Sequence, residues 1–158
     1  MEIFQRKIKS RAVLRDDDTI LVEIKLDDNH HEIELCLEIE ISTLTITAAR
    51  GRFIRSPFDR CADTIGLMEG LTGVKVAAGV WRTVSGRVGG PEGCTRLYEL
   101  VMEALRVAMQ AYFRVRWGHL SGETRLAQMR EALKDECYIY SHPELELKPL
   151  QDSKWSAK

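Results

Sequence analysis

The chain has 158 residues, 44% hydrophobic and 30% charged, with a formal net charge of -1. That is apolar material for one ordinary globular core, and it excludes any overall electrostatic pull toward nucleic acid or an anionic membrane, leaving only local patches to act in that way. The first residues, Met1-Glu-Ile-Phe-Gln-Arg-Lys7, contain no apolar leader segment, and no later run has the length of a membrane span, so a cytoplasmic protein with no membrane partner is expected.

The first half reads as strands. Residues 4 to 14 carry Arg6, Lys7, Lys9 and Arg11 and suit a strand whose basic side chains lie near the glutamates of residues 32 to 40, a surface pairing of small energetic weight. Ile20, Val22, Ile24 and Leu26 form the core face of the next strand. In the clearest alternation of the chain, Ile33, Leu35, Leu37, Ile39 and Ile41 face inward against Glu32, Glu34, Cys36, Glu38 and Glu40. Leu44, Ile46 and Ala48 are the core positions expected of a further strand. Asp16-Asp17-Asp18 and Asp27-Asp28-Asn29 supply the turns, because short Asx side chains satisfy nearby backbone groups. An antiparallel meander results. Cys36 falls on its wet face, and His30 and His31 sit in a turn as a solvated pair.

At Ser56-Pro57-Phe58-Asp59 the pattern becomes helical: Ser56 suits the cap, Pro57 the first helical position and Asp59 the reciprocal place of a capping box. A helix of about 57 to 71 is expected, packing Phe58, Ala62, Ile65, Met68 and Leu71 on the sheet and ending at Gly73. Residues 74 to 92 suit a short helix near 79 to 86. The main helix runs from Thr95 to Trp117, with Leu97, Leu100, Val101, Ala104, Leu105, Ala108, Met109 and Tyr112 as its core stripe. Gly118 and Ser121-Gly122 interrupt it, and Glu123 to Lys134 form a last amphipathic helix using Leu126, Met129 and Leu133. Cys137-Tyr-Ile-Tyr140 is β-prone and suits an edge strand. Strands followed by helices indicate an α+β fold, a three- or four-stranded antiparallel meander covered by helices on one face. One domain over 1 to 141 is expected, followed by a loosely held polar tail over 142 to 158 that Trp155 docks.

The chemistry-bearing stretch is Gly86-Arg-Val-Gly89-Gly90-Pro-Glu-Gly93-Cys94-Thr95. A helix start leaves backbone N–H groups unpaired, and their field favours a thiolate, which makes Cys94 the expected most acidic cysteine. Gly89, Gly90, Gly93 and Thr95 are candidates for cradling a phosphate or coenzyme pyrophosphate, although no Gly-Lys-Ser/Thr ending or dinucleotide fingerprint is present. As a nucleophile Cys94 needs a base, and His119 and His142 are the candidates. The stretch Arg50 to Arg60 interleaves arginines with Phe53 and Phe58, as a modest nucleic-acid patch does, but the acidic balance of the chain weighs against that partner. Cys36, Cys61, Cys94 and Cys137 are widely separated and contain no Cys-x-x-Cys pair, unlike a secreted disulfide framework. Cys61, Asp63, Cys94 and Cys137 lie at the ends of expected elements, where thiolates and a carboxylate suit zinc or an iron–sulfur species.

Ser56-Pro-Phe-Asp-Arg-Cys61, Leu71-Thr-Gly73, Gly93-Cys94-Thr95-Arg96-Leu97 with Glu99-Leu100, and Glu136-Cys137-Tyr138 resemble the bacterial domain-of-unknown-function family numbered 2889, over most of residues 3 to 145. Arg96 stands where that family usually has histidine. More distantly, strands followed by Cys61-Ala-Asp63, Gly93-Cys94 and Cys137 resemble the IscU and NifU N-terminal iron–sulfur scaffold proteins, although Glu136 replaces the histidine usual before the third cysteine. That likeness implies a SufE- or IscU-like fold and a non-enzymatic metal- or sulfur-handling protein whose ligands are Cys61, Asp63, Cys94 and Cys137, with a protein partner for transfer. The alternatives are a thiol-dependent enzyme or small anionic-ligand binder built on Cys94 and the glycine loop, and an interaction module with no site.

Overall fold

The computed structural model describes residues 1–147, and the expected docking of Trp155 lies outside them. The chain forms two compact units, Met1–Tyr112 and Phe113 onward, where the sequence suggests one domain over 1 to 141. The first unit opens with four antiparallel strands in sequential order, β1 (Arg6–Asp16), β2 (Thr19–Asp28), β3 (Glu32–Glu40) and β4 (Thr45–Arg55).

Strict alternation in β2 and β3 gives one buried face. Ile20, Val22, Ile24, Leu26, Ile33, Leu35, Leu37 and Ile39 are all buried, and cross-strand pairs such as Val22 with Leu37 share that side. The expected core face of β4 changes partway along the strand. Ile39 stands opposite Ile46 but Glu38 stands opposite Ala48, so Thr47 is an extra residue that reverses the parity. Ala49, not Ala48, is therefore buried. Gly51 follows on the same side, where an added Cβ would lie 2.9 Å from Ile65 Cδ1. Leu44 belongs to the preceding turn, with a φ of 52°, and Ile41 lies just past β3.

The segment after β4 is a 3₁₀ helix, Asp59–Leu71, and not the expected α-helix. Phe58 is extended (φ -137°, ψ 145°), which prevents a capping box from Ser56, whose hydroxyl donates to the Phe58 carbonyl instead. Phe58 is 70% exposed and contributes nothing to the core. Three residues per turn place Ile65, Met68 and Leu71 in one row, and Met68 and Leu71 are buried against the sheet, each worth roughly 1.5–3 kcal/mol. Gly73 ends the segment at φ 83°. Val74 and Val76 then run along the start of β4: Val76 N–H donates to the Leu44 carbonyl and Val74 accepts from Ile46 N–H. Helix α1 (Val80–Val88) buries Val84 and Val88.

Helix α2 spans Thr95–Trp117, as expected, and buries Leu97, Leu100, Val101, Ala104, Leu105 and Ala108, with Met109 and Tyr112 packed at the margin of the same core. All of this material lies on one side of the sheet, and the other side of the sheet is its charged face. In the second unit, α3 (Gly122–Leu133) is capped by Ser121, whose hydroxyl accepts from Thr124 N–H, and none of its residues is buried. The expected strand at Cys137 is a four-residue helix, α4 (Tyr138–Ser141). No described helix is long and apolar enough to cross a membrane.

Candidate functional site

The glycine-rich junction has mainly architectural work. Gly89 N–H donates to Ser85, Gly93 N–H to Gly90 and Cys94 N–H to Val88, so the amides expected to cradle an anion at Gly89 and Gly93 are turned into the loop. A Cβ on Gly93 would lie 2.4 Å from the carbonyl oxygens of both Gly89 and Val88. Gly90 has a φ of 73°, Thr95 opens α2, and Cys94 is half-buried against the core. The motif that continues into α2 is accounted for in the same way, since Leu97 and Leu100 are fully buried and Glu99 is an ion-pair partner.

Glu99 belongs to a network that ties α2 to the sheet. Arg6 reaches it at 3.3 Å and Arg96 at 2.5 Å, and Arg6 also binds Asp28 at 2.8 Å. Asp28 continues the row Ile24, Leu26 onto the core face and is buried. One carboxylate oxygen accepts from Arg6 Nε and Nη2. The other accepts from the backbone N–H groups of His30 and His31 and stands 3.2 Å from His31 Nδ1. Burial pushes this carboxyl up, but the His30 amide, the Arg6 guanidinium and both His31 donors outweigh it and hold the group well below the usual carboxylate range. In the unfolded chain Asp28 titrates near about pH 4. The folded state therefore binds fewer protons below that value, so the stabilisation is complete above it and is lost as the pH falls through it toward the folded pKa. An acid unfolding series is expected to show this loss in the wild type and not in Asp28→Asn.

Of the expected metal ligands, Cys61, Asp63 and Cys94 lie in the first unit and Cys137 in the second. Among the described residues no group of three or more His, Cys, Asp or Glu is placed to hold a metal ion. Cys61 and Asp63 lie in the 3₁₀ helix, where residues two apart point about 120° apart, and Asp63 is paired with Arg60 at 2.9 Å. Cys94 caps α2, and Cys137 belongs to the second unit.

What does converge is the charged face of the sheet. Across the four strands, Lys9, Lys25, Glu34 and Arg52 form one row, and Arg11, Glu23, Cys36 and Arg50 the next. Between them the backbone of Ser10, Ile24, Leu35 and Gly51 floors a trough of ≈ 530 Å³. Five cationic side chains and two carboxylates line it. Glu34 is bound by Arg52 at 2.6 Å and Lys25 at 3.3 Å, Glu23 by Arg11, and Arg50 reaches out to Glu38 at 3.1 Å. Thus β2 and β4 supply most of the cations for the β3 glutamates, and β1 reaches them only through Arg15, which meets Glu38 at 2.9 Å. The arginines read as a nucleic-acid patch are engaged here, and Arg55 pairs with Asp27 at 2.8 Å.

Cys36 sits within the trough wall. Burial raises its thiol pKa, Glu38 and Glu23 add to the rise, and Arg50 and Arg15 only partly offset it. The thiol is accordingly neutral at physiological pH, and Cys36 is expected to alkylate with iodoacetamide more slowly than free cysteine at pH 7.5. The alternation identifies each wall of the trough as a wet face; the opposition of the rows across strands is set by register, which single-strand periodicity does not contain.

A family model described as "Protein of unknown function (DUF2889)" matches residues 4–110. No curated protein and no solved structure matches the chain. Glu136-Cys137-Tyr138 lies beyond the matched stretch, whereas all four strands, the 3₁₀ helix, α1 and the buried part of α2 lie within it. It is through this first unit that the chain belongs to the DUF2889 family.

Proposed function

We propose that the protein is a non-enzymatic binder of small anionic ligands, held in the trough on the charged face of its sheet. The carrying observation is Lys9 directly opposite Lys25 in the β1–β2 register. Lys25 is held by Glu32 at 2.8 Å and Glu34 at 3.3 Å, which relieves only part of the repulsion from the like charge opposite it. Among the described residues Lys9 has no carboxylate partner, and the carboxylates that line the trough are engaged by Arg11, Lys25 and Arg52. A phosphate or carboxylate between the two ammonium groups relieves that repulsion. The trough volume falls within the usual range for small-molecule sites. Among the described residues its lining includes no histidine, and its thiol is neutral, so these groups offer charge and shape, not proton transfer.

The reading is tested by following backbone amide resonances of the intact chain while inorganic pyrophosphate is added at low ionic strength. Saturable shifts at Ser10, Ile24, Leu35 and Gly51 are expected, weakened about tenfold by Lys9→Glu, the scale of one charge-assisted hydrogen bond. Shifts gathered instead at Gly89 to Thr95 would return the site to the glycine loop.

A further inference from the structure

The sheet has two edges of different character. At β4, Thr45 bridges to Lys75, Val74 and Val76 hydrogen-bond along the strand start, and Ile65 of the 3₁₀ helix lies over Gly51. At the opposite edge, among the described residues β1 pairs with β2 alone, and it runs for 11 residues, nearly all of them exposed. Its outer row of backbone donors and acceptors is a template for a further strand. On the core side of that edge, Ile8 is 44% and Leu14 49% exposed, with Ala12 packed against the core between them. On the other side, Lys7, Lys9 and Arg11 stand in a row.

We propose that an extended segment of a partner protein, alternating acidic and apolar residues, adds to β1 as a fifth strand. Charge complementarity selects this occupant. Pairing of β1 with a second copy of itself sets lysines and arginines beside one another, which is how cationic edges deter self-association. In an added strand successive side chains alternate faces, so acids at every second position meet Lys7, Lys9 and Arg11, while the intervening residues cover Ile8, Ala12 and Leu14 and extend the core. Main-chain hydrogen bonds supply affinity, and the alternation supplies specificity. This goes beyond small-anion binding: it shares Lys9 and Arg11 with the trough but adds the outer backbone row of β1 and its apolar side, Ile8, Ala12 and Leu14.

The test is fluorescence polarisation of a labelled peptide of alternating Glu and Val residues with the intact chain at physiological salt. Saturable binding is expected, weakened about tenfold by the pair Ile8→Asp and Leu14→Asp, whose half-exposed positions lower the melting temperature but leave the chain folded at the assay temperature. Two peptides N-methylated on alternate residues, one for each edge, serve as controls that leave the protein untouched: the one whose blocked edge faces β1 loses binding and the other keeps it. Equal binding by both, equal binding by a peptide with the same residues in blocks, or no binding at all would overturn the proposal. Reversing Arg50 and Arg52 to Glu, on the far wall of the trough, removes pyrophosphate binding and leaves the peptide bound, so each reading fails separately.

Discussion

Replacing Asp28 by alanine is expected to lower the free energy of unfolding by about 3 kcal/mol, the lower end of the range for breaking a buried ion pair. Its side chain is 1% exposed and receives donors from three places in the chain. With the carboxylate gone, the His30 and His31 amides in the β2–β3 turn lose their acceptor, and Arg6 keeps Glu99 and its stacking over the Phe4 ring. These donors are part-buried, so leaving them unsatisfied carries part of the desolvation cost of the lost bonds. Asn preserves an acceptor for the turn amides while removing the charge facing Arg6, so Asp28→Asn should fall between wild type and Asp28→Ala. Urea unfolding checks both, read as a shift in midpoint at unchanged slope. An Asp28→Ala midpoint within error of wild type would show that the turn and the β1 start are held by other contacts.

Gly93→Ala is the second large effect, about 3 kcal/mol or more, at the upper end of overpacking costs. The new methyl meets two backbone carbonyl oxygens, not flexible side-chain ends, and moving either shifts the α1 terminus or the start of α2. Gly90→Ala separates this clash from glycine's conformational freedom. An added Cβ there meets nothing within 4 Å, and only the left-handed φ of 73° opposes it, a cost of about 1 kcal/mol. The thermal midpoint should drop far more for Gly93→Ala than for Gly90→Ala. The reverse order would mean that the loop is shaped by its dihedrals and not by close backbone approach.

These two residues show what was legible. The bounds of α2 follow from the periodic stripe that begins after Gly93-Cys94, and the core faces of β2 and β3 follow from parity. Parity also reaches Asp28, two residues beyond Leu26, but the Asp-Asp-Asn run reads more readily as a turn, and its partner Arg6 lies on another strand. Thr47 conceals a change of face, because a bulge responds to packing at Ala49 and Gly51 that no local pattern records. Asp59–Leu71 has apolar residues at spacing three and four alike, so the tighter helix could not be told from the α-helix; Gly66, Gly70 and Thr64 weaken the α-helical choice. The cysteines shared an order along the chain with iron–sulfur scaffolds, but order is not convergence: Cys61 and Asp63 diverge within their own helix. The trough went unseen because it is made of four exposed strand faces, each unexceptional alone.

Anion binding by the charged sheet face is tested most directly by calorimetric titration of inorganic pyrophosphate into the intact chain, wild type beside Lys9→Glu and the Arg50→Glu, Arg52→Glu pair. Saturable binding to wild type that weakens about tenfold in Lys9→Glu, is lost in the double variant and falls as salt is raised is the expected result. Binding that is absent from wild type, or unchanged in both variants, would contradict it.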